Sequence, residues 1–136
     1  MGTARLAAAA GVAALLATGC SISDPSNANT DHFSGTIQPG DFTGRVYSFT
    51  VGSNGGEVTV TVASVSPDSG TALGLAYGQF ATGSTSECIP IRSGVGLQGQ
   101  QAISNVITTG TYCLRVFDAG FLSQRAETFT VDVSHP

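Results

Sequence analysis

Glu57-Val58-Thr59-Val60-Thr61-Val62 alternates a valine with a polar residue at every step. Side chains of an extended strand point to opposite faces with period two, so three valines share one face and Glu57, Thr59 and Thr61 the other. Outward from this stretch the same pattern recurs. Tyr47, Phe49 and Val51 alternate with Ser48 and Thr50, and Leu73, Leu75 and Tyr77 with Gly74 and Ala76. Tyr112, Leu114 and Val116 alternate with Cys113, Arg115 and Phe117, and Phe129, Val131 and Val133 with Thr128, Thr130 and Asp132. Between the runs lie turn-forming clusters: Pro39-Gly40-Asp41, Gly52 to Gly56, Ser66 to Gly70 and Thr108-Thr109-Gly110. Short half-buried strands at this spacing predict an all-β fold, an antiparallel β-sandwich or jelly roll of about seven or eight strands. No stretch beyond residue 20 offers a long amphipathic helix.

The 136 residues suit one domain. Only 10% of them are charged, against roughly 25% in an average soluble domain. The five basic residues are all arginine, set against nine acidic ones, for a net charge of −4. A chain without lysine and with scattered arginines does not fit a nucleic-acid binder, which needs clustered cations to neutralise phosphates.

The first residues read as an address. Arg5 is followed by an uncharged Ala/Leu/Val run from Leu6 to Ala17. That run is too short for the roughly 20 apolar residues of a spanning helix and fits a secretory signal helix over residues 1–19. It closes on Leu16-Ala17-Thr18-Gly19-Cys20, which resembles the bacterial lipobox. The resemblance implies that Cys20 becomes the lipidated first residue of the mature protein, acylated in a membrane of the bacterial cell envelope. An ordinary signal peptide, with Cys20 left as a free thiol, is the alternative. Residues 20–31, polar and without periodicity, then form a linker, and residues 32–136 the sandwich.

With Cys20 assigned to lipid, Cys88 and Cys113 remain as a disulfide pair, suited to an oxidising compartment. Strand parity places both on the outward face, opposite Ile89 and Ile91 in one run and opposite Tyr112 and Leu114 in the other. A zinc site would need three or four ligands, and only His32 and His135, near the two ends of the domain, could join. Both histidines read as solvated termini, which leaves no base for a Ser-His-Asp or Cys-His arrangement. The acids Asp41, Glu57, Asp68 and Glu87 lie in or beside turns, where acids are common. Arg92 and Arg115 share the outward parity, as a small basic spot or as partners of Glu87 and Asp118.

Gly35-Thr36-Ile37, Gly44 to Val51, Gly56 to Val62 and Gly110-Thr111-Tyr112-Cys113-Leu114-Arg115-Val116 together resemble the bacterial pre-peptidase C-terminal domain. The resemblance spans about Phe33 to Val133. It implies a jelly-roll accessory module of secreted enzymes, some relatives of which bind collagen, polysaccharide or calcium. The acidic pair usual before the middle strand is replaced here by Ser69-Gly70-Thr71-Ala72.

Gly94-Val95-Gly96-Leu97-Gln98-Gly99 is a literal G-x-G-x-x-G, with Asp118 standing 19 residues beyond Gly99. The near-helical stretch after it, Gln100 to Ile107, is only about two turns, and the run before it contains Pro90 and Arg92. A dinucleotide-binding unit needs a longer crossover helix and a continuously apolar parallel strand, so the glycines read as a flexible loop. The sequence therefore predicts a lipid-anchored envelope protein with a non-catalytic binding or structural module. Polysaccharide and protein are the ligand classes, with no cofactor, metal or nucleotide. The alternative is a small envelope hydrolase or its accessory subunit.

Overall fold

Val58, Val60 and Val62 are fully buried, and their polar neighbours face outward. The computed structural model describes residues 28–136, which form eight strands. In chain order these are β1 (Asn29–Ile37), β2 (Arg45–Val51), β3 (Gly56–Ser66), β4 (Leu73–Phe80), β5 (Cys88–Gly96), β6 (Gln101–Ile107), β7 (Gly110–Phe117) and β8 (Glu127–His135). The signal segment and Cys20 lie outside the described residues.

The strands make two antiparallel sheets of four, ordered β1-β8-β3-β6 and β2-β7-β4-β5. Successive strands mostly alternate between the sheets, the winding of a jelly roll. The core is the space between the sheets. Val58, Val60, Val62, Val131 and Val133 from the first sheet meet Leu73, Leu75, Tyr77, Leu114 and Val116 from the second, all with no exposed surface. At about 25 cal/mol per Å² of apolar area removed from water, this layer is the dominant favourable contribution to folding.

This winding sorts the connections into two groups. The β1–β2, β3–β4, β5–β6 and β7–β8 loops gather at one end of the sandwich. The β2–β3, β4–β5 and β6–β7 turns lie at the other, with the start of β1. There Asn29 pairs with His135, and Gly52 donates its N–H to the Pro136 carbonyl at 3.1 Å.

Several sequence expectations change in three dimensions. β1 takes in Asn29–Asp31, which the sequence reading gave to the linker, because their backbone pairs with β8. Gln101–Ile107 is a strand, with Ile103 and Ile107 facing the core. Gly94 and Gly96 belong to β5, not to a loop. A side chain at Gly94 would strike the Ala102 carbonyl at 2.6 Å, so the first glycine of the motif permits close approach of β6. Gly99, with φ of +82°, forms the left-handed corner of the β5–β6 turn.

Cys88 and Cys113 form a disulfide. It joins β5 to β7 across β4, and its Cα atoms are 5.8 Å apart. Two strands flanking a third in a flat sheet would stand about 9.5 Å apart. The sheet is therefore bent at this point, beside the shift in β4–β5 register between Tyr77 and Gly78. A side chain at Gly78 would lie 1.8 Å from the Ile89 carbonyl, so the bend needs glycine there. The outward parity is observed, but both cysteines are buried. Ile89 and Ile91, read as core, are half exposed because β5 is the edge of its sheet and the register slips beside them.

Candidate functional site

The four loops at the first end build the candidate site. Asp118, directly after β7, organises it. Its Oδ1 accepts the N–H groups of Gly120, Phe121 and Leu122 at 2.8–3.2 Å, and its Oδ2 accepts that of Gly40 at 2.8 Å. The Asp118 N–H in turn donates to the Asp41 carbonyl at 3.0 Å. One buried carboxylate thereby ties the β1–β2 loop to the β7–β8 loop. Burial alone would raise its pKa, but four main-chain donors stabilise the charged form and hold it below the ordinary carboxyl range. Sequence reasoning placed Asp118 only in the outline of a dinucleotide-binding unit or as an arginine partner. The signal it missed is Asp-Ala-Gly directly after a strand, an Asx-turn sequence.

Asp41 repeats the device on a smaller scale, its Oδ1 accepting from the Gly44 N–H at 2.9 Å. Across the end, Glu127 at the start of β8 is 3% exposed, and its Oε2 accepts the Asp68 N–H at 3.0 Å. Its Oε1 lies 3.9 Å from Arg125 Nε. The Asp68 Oδ1 accepts the Gly70 N–H at 3.0 Å and shapes the β3–β4 loop. On the β5–β6 turn, the Gln98 side chain satisfies the Val65 N–H, and Gln100 Oε1 accepts from the Leu97 N–H.

Between these fixed loops runs a groove of about 550 Å³. It is lined by the apolar Val95, Leu97 and Phe121 and by the polar Asp68, Thr71, Gln100 and Ser123. A narrower, polar groove of about 330 Å³ continues from it past Gln124, Arg125 and Glu127, sharing Asp68, Thr71 and Ser123 with the first. Phe42, 64% exposed, and Phe121, 54% exposed, project from neighbouring loops of this end. Large exposed aromatics on loops held by a rigid scaffold mark surfaces that meet other molecules.

The structure places the other candidates elsewhere. His135 is buried, not solvated, with its ring 5.8 Å from that of Phe49 and its Nε2 3.0 Å from Asp31 Oδ2. His32 is exposed and hydrogen-bonds Asp132 at 2.6 Å on the outer face of the first sheet. Both pairs fasten β1 to β8, away from the groove. Arg115 pairs in register with Ala76, and Arg92 with Tyr77, successive β4 residues that face opposite sides, so the two arginines do not share a face. Arg115 lies over the Phe117 ring at 4.7 Å, and the Asp118 carboxylate is occupied by main-chain donors. Among the described residues, no three His, Cys, Asp or Glu side chains cluster closely enough to hold a metal ion. No helix among them is long and apolar enough to cross a membrane.

A scan against protein-family models matches none, and no curated protein matches. Among solved structures, the chain aligns with one described as "Bacillus endospore appendages form a novel family of disulfide-linked pili". The identity is 11% over 87% of this chain and 97% of that one, with a TM-score of 0.25.

Proposed function

We propose that this protein is a lipid-anchored module of the bacterial cell envelope that binds an extracellular or periplasmic ligand without catalysing its conversion. The observation that carries the reading is the division of labour between the two ends of the sandwich. The chain enters β1 at the end of the β2–β3, β4–β5 and β6–β7 turns, and the grooves and exposed phenylalanines lie at the opposite end. With Cys20 acylated, the anchor attaches at the first end and the groove is turned away from the membrane. Two or more acyl chains on Cys20 would make that attachment stable, as one alone would not. The order of strand motifs that resembles the pre-peptidase C-terminal domain fits an accessory, non-catalytic role.

The hydrolase alternative draws on one observation: Asp68 and Glu127 both line the narrower groove. Paired carboxylates can hydrolyse glycosides when one is free to give a proton and the other to attack or activate water. Glu127, however, is committed to the Asp68 N–H and faces Arg125. That arrangement supports a loop brace rather than a catalytic pair.

Mass spectrometry of the protein recovered from bacterial membranes tests the anchor. A mature N-terminus at Cys20 bearing diacylglyceryl mass is expected. An unmodified Cys20 thiol contradicts the reading.

A further inference from the structure

We propose that the domain rests on the membrane that anchors it, touching the bilayer with the corner where β5 begins and β6 ends. This contact rests on the reading of Cys20 as a lipid anchor and gives that anchor a second, apolar foothold.

The exposed large apolar residues among those described fall into two groups. Phe42, Val95, Leu97 and Phe121 belong to the loop end. Ile89, Ile91 and Val106 belong to the end where β1 begins, and all three stand on β5 or β6. These two strands close the same side of the sandwich, each the last of its sheet, with Gly94 of β5 against Ala102 of β6. Val106, 74% exposed, is the most open of the seven and stands one residue before the end of β6. Ile89, Pro90 and Ile91 are consecutive and all exposed. The register accounts for them: Tyr77 pairs with Arg92 and Gly78 with Pro90, so Ile91 is the extra residue of a bulge, without a partner on β4. Bulges re-aim side chains, and a consecutive apolar run left in water is costly unless something covers it.

Where the chain leads indicates the cover. Asn29, the first residue of β1, stands nine residues after Cys20. Fully extended, that length spans at most about 32 Å. β1 and β6 are the two edges of one four-stranded sheet, about 14 Å apart. An acylated Cys20 therefore keeps the β5–β6 corner of the same end within reach of the bilayer. A further β-strand is a poor occupant. Pro90 has no N–H to give a ladder, and the bulge breaks the regular edge, two devices that block strand addition. A bilayer needs no ladder, since it takes apolar side chains roughly 5–10 Å into the boundary of headgroups and acyl chains. The turns beside the corner, Thr82 to Ser86 and Thr108-Thr109, carry hydroxyls and no charge. The nearby charges are Glu87, Arg92 and Glu57, whose Oε1 accepts from Ser104 Oγ at 2.8 Å. Two acids and one arginine offer anionic headgroups no net attraction, so the contact is apolar in origin.

Labels on the lipidated full-length protein in phosphatidylcholine vesicles test this. A nitrobenzoxadiazole fluorophore is attached at Val106→Cys or at Thr50→Cys, an exposed position at the same end on the opposite edge strand β2. The label at position 106 is expected to emit further to the blue and to be quenched by aqueous acrylamide roughly threefold less than the label at position 50. Adding Ile89→Asp and Ile91→Asp should abolish that difference with an unchanged urea midpoint, and adding phosphatidylglycerol to the vesicles should not enlarge it. Equal quenching of the two labels on lipidated protein overturns the contact and leaves the anchor standing. Protection that survives both aspartates, or that appears only with anionic lipid, also overturns it. Protection at position 106 that vanishes when the protein is diluted among more lipid does the same, because a second copy is then the cover. An unmodified Cys20 in the same sample, read by mass spectrometry, overturns anchor and contact together.

Discussion

The two ends of this sandwich are stabilised by different chemistry. At the end where β1 begins, the chain is secured by the Cys88–Cys113 bridge nearby and by aromatic packing of Phe49 against Tyr112 and His135. At the other end, loops are held by hydrogen bonds to carboxylates: Asp118 for two loops and Glu127 for a third. Polar restraint, by satisfying main-chain donors from within, leaves side chains such as Phe42, Phe121 and Gln100 outside and available. The same fold thus separates the part that secures the structure from the part that can meet a ligand.

The largest effect expected from breaking this contrast comes from the covalent end. Replacing both bridge cysteines, Cys88→Ser with Cys113→Ser, opens a loop with a sequence separation of 25. The chain-entropy relation gives a loss of about 3.5 kcal/mol. Urea unfolding of the double variant against wild type measures it, and a loss below about 1 kcal/mol would show that the bend over Gly78 holds without the bridge.

A smaller effect is expected at the polar end. Asp118→Asn keeps the shape but replaces a charged acceptor with a neutral amide whose NH2 must face main-chain donors. The expected cost is about 2 kcal/mol at pH 7. The folded-state pKa of Asp118 lies below its unfolded value of about 3.9, so its stabilisation is complete above that pH. It is lost as the pH falls through the folded-state value. The gap between variant and wild type should therefore narrow below about pH 4, and a gap that is constant from pH 7 to pH 2.5 would show that the charge is not the cause. Amide protection should fall first in residues 38–41 and 119–122, with the disulfide-bonded end unchanged.

Much of the fold was legible because the central strands β3, β4, β7 and β8 bury one face against the other sheet, and period-two alternation records that. The edges were less legible. Asn29–Asp31 looks like tether because an edge strand needs only backbone pairing, and no apolar pattern marks it. Ile89 and Ile91 misled because β5 changes register beside them, and one slipped residue exchanges the two faces. The same slip parted Arg92 from Arg115. The bridge between Cys88 and Cys113 was readable from parity and count, whereas their burial was not, since it depends on the bend at Gly78. The candidate site was almost silent in sequence. Its residues come from four loops distant along the chain, and its organiser, Asp118, differs from an ordinary turn acid only in the number of donors the fold brings to it.

The central claim, that anchor and ligand site lie at opposite ends, can be measured in the lipidated protein itself. A single thiol-reactive fluorophore is placed at the end where β1 begins, by Ser53→Cys, or at the groove end, by Gln38→Cys. Both positions are exposed, and the native cysteines are occupied on this account by lipid and disulfide. In vesicles carrying headgroup-attached quencher, the label at position 53 should be strongly quenched and the label at position 38 should stay close to its value in detergent. Equal quenching at the two positions, or stronger quenching at position 38, would contradict the account.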